Sequence, residues 1–286
     1  MAMTAARRGW LMATALLALL GCGEANHEDK VMASTAQISA TEWQALAQKR
    51  VMFGHQSVGY NILDGVKEMT PTHPQFQLNI AIAKGPQDFS QPTLGHAEVG
   101  HNTVPKSKID DFVKLIDSGI GDQADVALLK FCYVDVSENT DIAKLFNEYK
   151  EMIANLKSKY PGTTFAHITM PLVAKEDGIK IWVKNMAKII LGRPVRNLAL
   201  NAKRGDFNKM LIREYENIDP IFDLAKLEST TPNSERVIDY SDGLKFYSMF
   251  PGYTEDGGHL NELGRKIVAK EFIRFLASLP EKVSRN

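Results

Sequence analysis

The 286-residue chain carries 34 basic and 34 acidic side chains, a formal net charge of zero, and 44% of its residues are hydrophobic. A neutral balance gives no electrostatic basis for binding nucleic acid or an anionic membrane face. It contains two cysteines, Cys22 and Cys132, so with Cys22 modified no internal disulfide is available and the fold relies on its core.

The N-terminus reads as an address. Arg7 and Arg8 precede an apolar run over residues 10–20, too short to span a bilayer, and the run ends in Leu19-Leu20-Gly21-Cys22. This order of charged, apolar and small residues is that of a signal peptide over residues 1–21. A Cys directly after a small residue resembles the bacterial lipobox, which implies that Cys22 is acylated and becomes the first mature residue. An ordinary signal peptide with an incidental Cys is the other reading, and Leu20 is a less usual lipobox residue. Gly23 supplies no Asp-type retention signal, so the expected place is the outer membrane, facing the periplasm or the cell surface. Several acyl chains would hold such a protein firmly, whereas one chain binds marginally. Loss of residues 1–21 removes two Arg and no acid, leaving a net charge of −2. Residues 22–41 read as the lipidated Cys and a polar tether, and residues 42–280 as one domain.

Within that domain, strand-like runs alternate with helical patterns. Residues 51–54 predict a first strand and 57–68 a helix. Residues 76–83 alternate apolar and polar and predict a second strand, followed by a helix over 107–120 with Ile109, Phe112, Val113 and Ile116 on one face. A buried-type strand is expected over 125–131. The helix over 142–160 ends at Pro161-Gly162. Residues 163–172 predict a fourth strand, 207–215 a helix, 218–224 a fifth strand, and Asn261 caps a last helix. The pattern predicts a five-stranded parallel sheet in a flavodoxin-like three-layer α/β/α sandwich. Two stretches exceed what a connection needs. One is an insert over 174–205 containing Trp182 and several Ile. The other is a loop over 227–255 carrying Tyr240, Phe246, Tyr247, Phe250 and Tyr253. Each reads either as a wall of the site or as packing onto the body.

The most informative motif is Asp256-Gly257-Gly258-His259, just before the last helix. Glycines between a carboxylate and an imidazole let the carboxylate reach one ring nitrogen and leave the other free as a base. The partner such a pair needs is a nucleophile, and Ser57 lies where the first strand gives way to a helix, in Gly54-His55-Gln56-Ser57. A helix N-terminus there also favours developing negative charge.

On these two blocks, residues 42–280 resemble the SGNH, or GDSL-like, hydrolases. The Asp-x-x-His block is the specific one; the Ser block is one residue longer between Gly and Ser than the family's Gly-Asp-Ser. The resemblance implies the SGNH hydrolase fold and a serine esterase with Ser57 as nucleophile, His259 as base and Asp256 orienting it. It also implies an oxyanion hole from the Ser57 N–H, the Gly100 N–H and an Asn after the third strand. That Asn is absent: the strand ends Lys130-Phe131-Cys132-Tyr133-Val134-Asp135. Asn102 is the substitute donor, with a turn-forming role as its alternative.

His55, His101, Lys130 and Tyr133 are expected to shape a substrate pocket. Cys132 reads as a buried structural cysteine. His55, His96, His101 and His259 show no metal-ligand spacing, so neither a metal nor another cofactor is expected. The expected substrate is a small-molecule or glycan ester, such as an acetyl ester. A non-catalytic glycan- or protein-binding module of the same fold and an acyltransferase on the same site are the alternatives, and nucleic acid is not an expected partner.

Overall fold

In the computed structural model, residues 37–70, 76–175, 197–241 and 243–280 are described. The chain divides into Met1–Ala36 and Gln37–Asn286. The signal peptide, Cys22, most of the tether and residues 176–196 of the insert lie outside the described residues. Among the described residues, no helix is long and apolar enough to cross a membrane.

The domain begins earlier than residue 42. Helix α1 spans Ala40–Ala47, and Ser39 caps it: its hydroxyl accepts from the Glu42 N–H while the Glu42 carboxylate accepts from the Ser39 N–H. Ile38, Trp43 and Leu46 are buried in the core, so these residues belong to the body.

Strands β1 (Arg50–His55), β2 (Ile80–Ile82), β3 (Thr93–Glu98), β4 (Val126–Leu129), β5 (Thr164–Ile168) and β6 (Ile221–Phe222) form one sheet in the order β2-β3-β1-β4-β5-β6. Every pairing in it is parallel. The sheet therefore has six strands rather than five. The strand not anticipated is β3, which pairs with β1 along its whole length. Gly95 and His96 interrupt its apolar pattern, and Gly95 is there for close approach: a Cβ would stand 2.5 Å from the Phe89 ring.

The helices are α2 (Val58–Met69), α3 (Pro105–Leu115), α4 (Ile142–Lys159), α5 (Leu200–Tyr215), α6 (Leu224–Glu228) and α7 (Glu262–Ser278). Because side chains alternate across a strand, Val51 and Phe53 of β1 enter the core with α1, α2 and α7. Met52 enters the opposite core with α3, α4 and α5. Helix α5 starts seven residues before the expected 207, since its first turns bury Asn201 and Arg204 rather than apolar residues. The loop over 227–255 contains a hairpin, β7 (Ile238–Ser241) with β8 (Leu244–Tyr247). Phe246 and Tyr253 are buried, whereas Tyr240 and Tyr247 are exposed.

Strand β1 lies between β3 and β4, and the chain leaves it first toward one edge and then toward the other. That reversal opens a crevice at the carboxyl ends of these three strands. Residues 56–57, 99–104 and 130–135 all lie at this edge.

Candidate active site

Ser57 joins β1 to α2 with φ 54° and ψ −112°, a conformation that costs a non-glycine residue about 1–3 kcal/mol. It forms a sharp strand-to-helix turn that places the Ser57 side chain above the sheet edge. Its side chain makes no cap bond to the helix, which frees the hydroxyl. Ser57 Oγ lies 2.7 Å from His259 Nε2, across 202 residues of sequence.

His259 Nδ1 lies 2.8 Å from Asp256 Oδ2. A carboxylate only accepts, so Nδ1 carries the proton and Nε2 is the bare nitrogen that accepts from the Ser57 hydroxyl. The other carboxylate oxygen of Asp256 accepts from the N–H groups of Gly258 and His259, at 2.9 and 2.8 Å. Gly257 takes φ 84° between them, which closes the loop tightly enough for both contacts. The loop is pinned from outside: the Gly257 carbonyl accepts from Ala174 N–H, and Leu260 N–H donates to Asn61 Oδ1 of α2. The Asp256 and His259 side chains retain 37% and 43% exposure, so water reaches them.

The segments after β3 and β4 complete the rim. Tyr133 is buried with its ring edge-on to His259 at 5.8 Å, so it borders the site. His101 and Asn102 are exposed on the turn after β3. His55 and Lys130 do not line a pocket, because both side chains are fully buried. His55 stacks on Phe53, faces His96 Nδ1 at 3.2 Å, and is pushed down by burial to about 2. Lys130 donates to the Phe131 carbonyl and lies 3.5 Å from Cys132 Sγ, and burial lowers its pKa. The Cys132 thiol is buried and faces the carbonyl of Gln56, the residue before Ser57, at 3.6 Å.

Gly100 departs from its expected role. Its N–H donates to Asp111 Oδ2 at 3.0 Å, so it is committed to a carboxylate and is not an open oxyanion donor. The His101 N–H is taken by Ser107 Oγ and the Thr103 N–H by Asp135 Oδ1.

Three contributors were not singled out by sequence. Gln56 is the additional residue of the Gly-His-Gln-Ser turn, and its carboxamide N–H groups donate to the Val99 and Gly100 carbonyls, at 3.0 and 2.6 Å. It ties the Ser57 turn to the loop after β3. Asn61 holds the His259 loop. Lys108 pairs with Asp135 against the turn after β3, both side chains fully buried. Its position four residues before Phe112, on the buried stripe of α3, was the available signal. Among the described residues no group of three or more His, Cys, Asp or Glu side chains is arranged to hold a metal ion.

No family model matches the chain, and no curated protein matches it. Among solved structures it is similar to a lipase/acylhydrolase from Enterococcus faecalis, at 12% identity and TM-score 0.45, over 82% of this chain and 100% of that one. It is also similar to the periplasmic domain of a lipopolysaccharide acetyltransferase from Salmonella ser. Paratyphi A, at 12% identity and TM-score 0.41, over 84% of this chain and 91% of that one. A third is an acetyl esterase solved with acetate ion, at 10% identity and TM-score 0.40, over 81% of this chain and 98% of that one.

Proposed function

We propose that the chain is a serine esterase of SGNH type that hydrolyses carboxylic esters through an acyl-enzyme. The observation that carries this reading is the continuous hydrogen-bonded line from Ser57 Oγ through His259 to Asp256, with steps of 2.7 and 2.8 Å, on a serine held at a strained turn.

In the first half-reaction Ser57 Oγ attacks the ester carbonyl while its proton passes to His259 Nε2. Asp256 stabilises the resulting imidazolium. The tetrahedral oxyanion forms at the N-terminus of α2, where the backbone dipole favours negative charge. Collapse expels the alcohol, which takes the proton from Nε2 and leaves an acyl group on Ser57. In the second half-reaction water gives a proton to Nε2 and attacks the acyl carbonyl, and collapse releases the acid while Ser57 Oγ takes that proton back from Nε2. The exposure of His259 supports water as the acceptor over a shielded acyl transfer.

A short acyl group, such as an acetyl ester on a glycan of the cell envelope, is the substrate class that fits a protein tethered there through Cys22. Cys22 anchorage and outer-membrane location belong to this proposal and rest on the lipobox-like sequence alone. The test is turnover of acetyl and longer p-nitrophenyl esters, with Ser57→Ala alongside. Ser57-dependent hydrolysis is the expected result; a folded protein that hydrolyses none of them favours the binding-module alternative.

A further inference from the structure

We infer that the buried Lys108–Asp135 pair positions Asn102 as an oxyanion donor, replacing the Asn missing from the end of β4; this inference rests on the esterase reading.

The argument begins with the directionality of the bonds. Lys108 Nζ lies 3.0 Å from Asn102 Oδ1 and 2.7 Å from Asp135 Oδ2. An ammonium only donates, so the carboxamide oxygen of Asn102 must face Lys108, and its NH2 group is turned the other way. The same carboxylate holds the surrounding backbone. Asp135 Oδ2 accepts from the Cys132 N–H at 2.6 Å, and Oδ1 accepts from the Thr103 N–H at 3.1 Å. Asp135 therefore ties the end of β4 to the residue that follows Asn102.

The turn itself is over-determined. Gly100 and Thr103 both have positive φ, at 60° and 71°. The Val104 N–H closes onto the His101 carbonyl. With Gly100, His101 and Thr103 amides all committed, the donors left on this turn belong to Asn102. Gln56, adjacent to Ser57, grips the start of the turn through the Val99 and Gly100 carbonyls, and the Cys132 thiol meets the Gln56 carbonyl. The nucleophile, the Asn102 turn and the end of β4 thus form one connected unit.

A buried ion pair is a costly way to hold a turn, because apolar packing of the same volume does so with less desolvation. What a lysine adds is control over which end of the Asn102 amide faces outward.

The test compares kcat and KM for p-nitrophenyl acetate in purified wild-type protein, Asn102→Asp, Asn102→Ala, Lys108→Met and the Asn102→Ala/Lys108→Met double variant. Asn102→Ala deletes the NH2 donor without adding charge, whereas Asn102→Asp keeps an oxygen for Lys108 but replaces the donor with a carboxylate and adds a negative charge. In both, kcat is expected to fall about 100-fold with KM within about twofold and an unchanged melting temperature. Lys108→Met is expected to lower kcat in the wild-type background and to have no further effect once Asn102 is Ala. Wild-type kcat in Asn102→Ala, or an equal loss from Lys108→Met in both backgrounds, overturns the inference. Should Lys108→Met fail to fold, Asn102→Ala and Asn102→Asp decide together: a comparable fall in both upholds the inference, and a fall in Asn102→Asp alone reports its added charge and overturns it. Absence of Ser57-dependent turnover in the wild-type protein sinks the esterase reading itself, whereas Ser57-dependent turnover indifferent to Asn102→Ala overturns this inference only.

Discussion

Asp256 holds His259 twice, accepting the ring Nδ1–H on one carboxylate oxygen and the backbone N–H of the same residue on the other, each at 2.8 Å. The ring contact sets the tautomer and the backbone contact sets the loop, so one side chain governs both the tautomer and the place of the imidazole.

Asp256→Asn separates the two duties. The amide oxygen can still accept from the Gly258 and His259 backbone, but its NH2 group then faces Nδ1 and favours the tautomer with Nε2 protonated. Steady-state kinetics with p-nitrophenyl acetate are expected to show kcat reduced about 10⁴-fold with folding intact. A loss under tenfold would mean that the imidazole does not rely on this carboxylate.

The strain at Ser57 predicts a difference in stability between two inactive variants. Glycine populates positive φ freely, so Ser57→Gly is expected to be more stable than Ser57→Ala by about 1–2 kcal/mol in urea unfolding, both being inactive. Equal stabilities would show that the turn is unstrained.

Gln56 stitches two loops without touching the reacting atoms. Gln56→Leu keeps the bulk and removes both donors to the Val99 and Gly100 carbonyls. It is expected to cost about 1–3 kcal/mol of stability and to lower kcat about tenfold or more through a loosened site. An unaltered kcat in a destabilised variant would confine Gln56 to a structural role.

Far more of the hydrogen-bonded Ser57–His259–Asp256 line than of its support was legible from the residues. Asp256 and His259 sit three apart in a glycine loop, and Ser57 ends a strand-like run; these are local signals. Strand β3 was not legible because Gly95 and His96 break its apolar pattern. Lys108 was read as part of an ordinary amphipathic helix because its partner Asp135 lies 27 residues away, and only the folded chain brings them together. The same holds for His55, placed at the site by its neighbours in sequence and removed from it by the alternation of β1, which turns its ring into the interior.

Glu228 gives a pH signature independent of the triad. It is fully buried, one oxygen accepts from the Leu172 N–H and the other has no hydrogen-bond partner among the described residues. Burial raises its pKa from 4.5 to about 8. The folded protein therefore keeps a proton that the unfolded chain loses above pH 4.5, and Glu228 withdraws stability as pH rises from about 4.5 to about 8. Glu228→Gln removes that titration. In urea unfolding, the stability of Glu228→Gln relative to wild type is expected to climb across this window and level off above it. A difference independent of pH would show that Glu228 titrates alike in both states.

The most direct measurement of the central claim is covalent labelling by a fluorophosphonate, which reacts with a serine only when a base activates it. One label per chain, mapped to the Ser57 peptide and absent from Ser57→Ala and His259→Ala, is the predicted result. A folded wild-type protein that takes no label, or a label that persists in Ser57→Ala, contradicts the account.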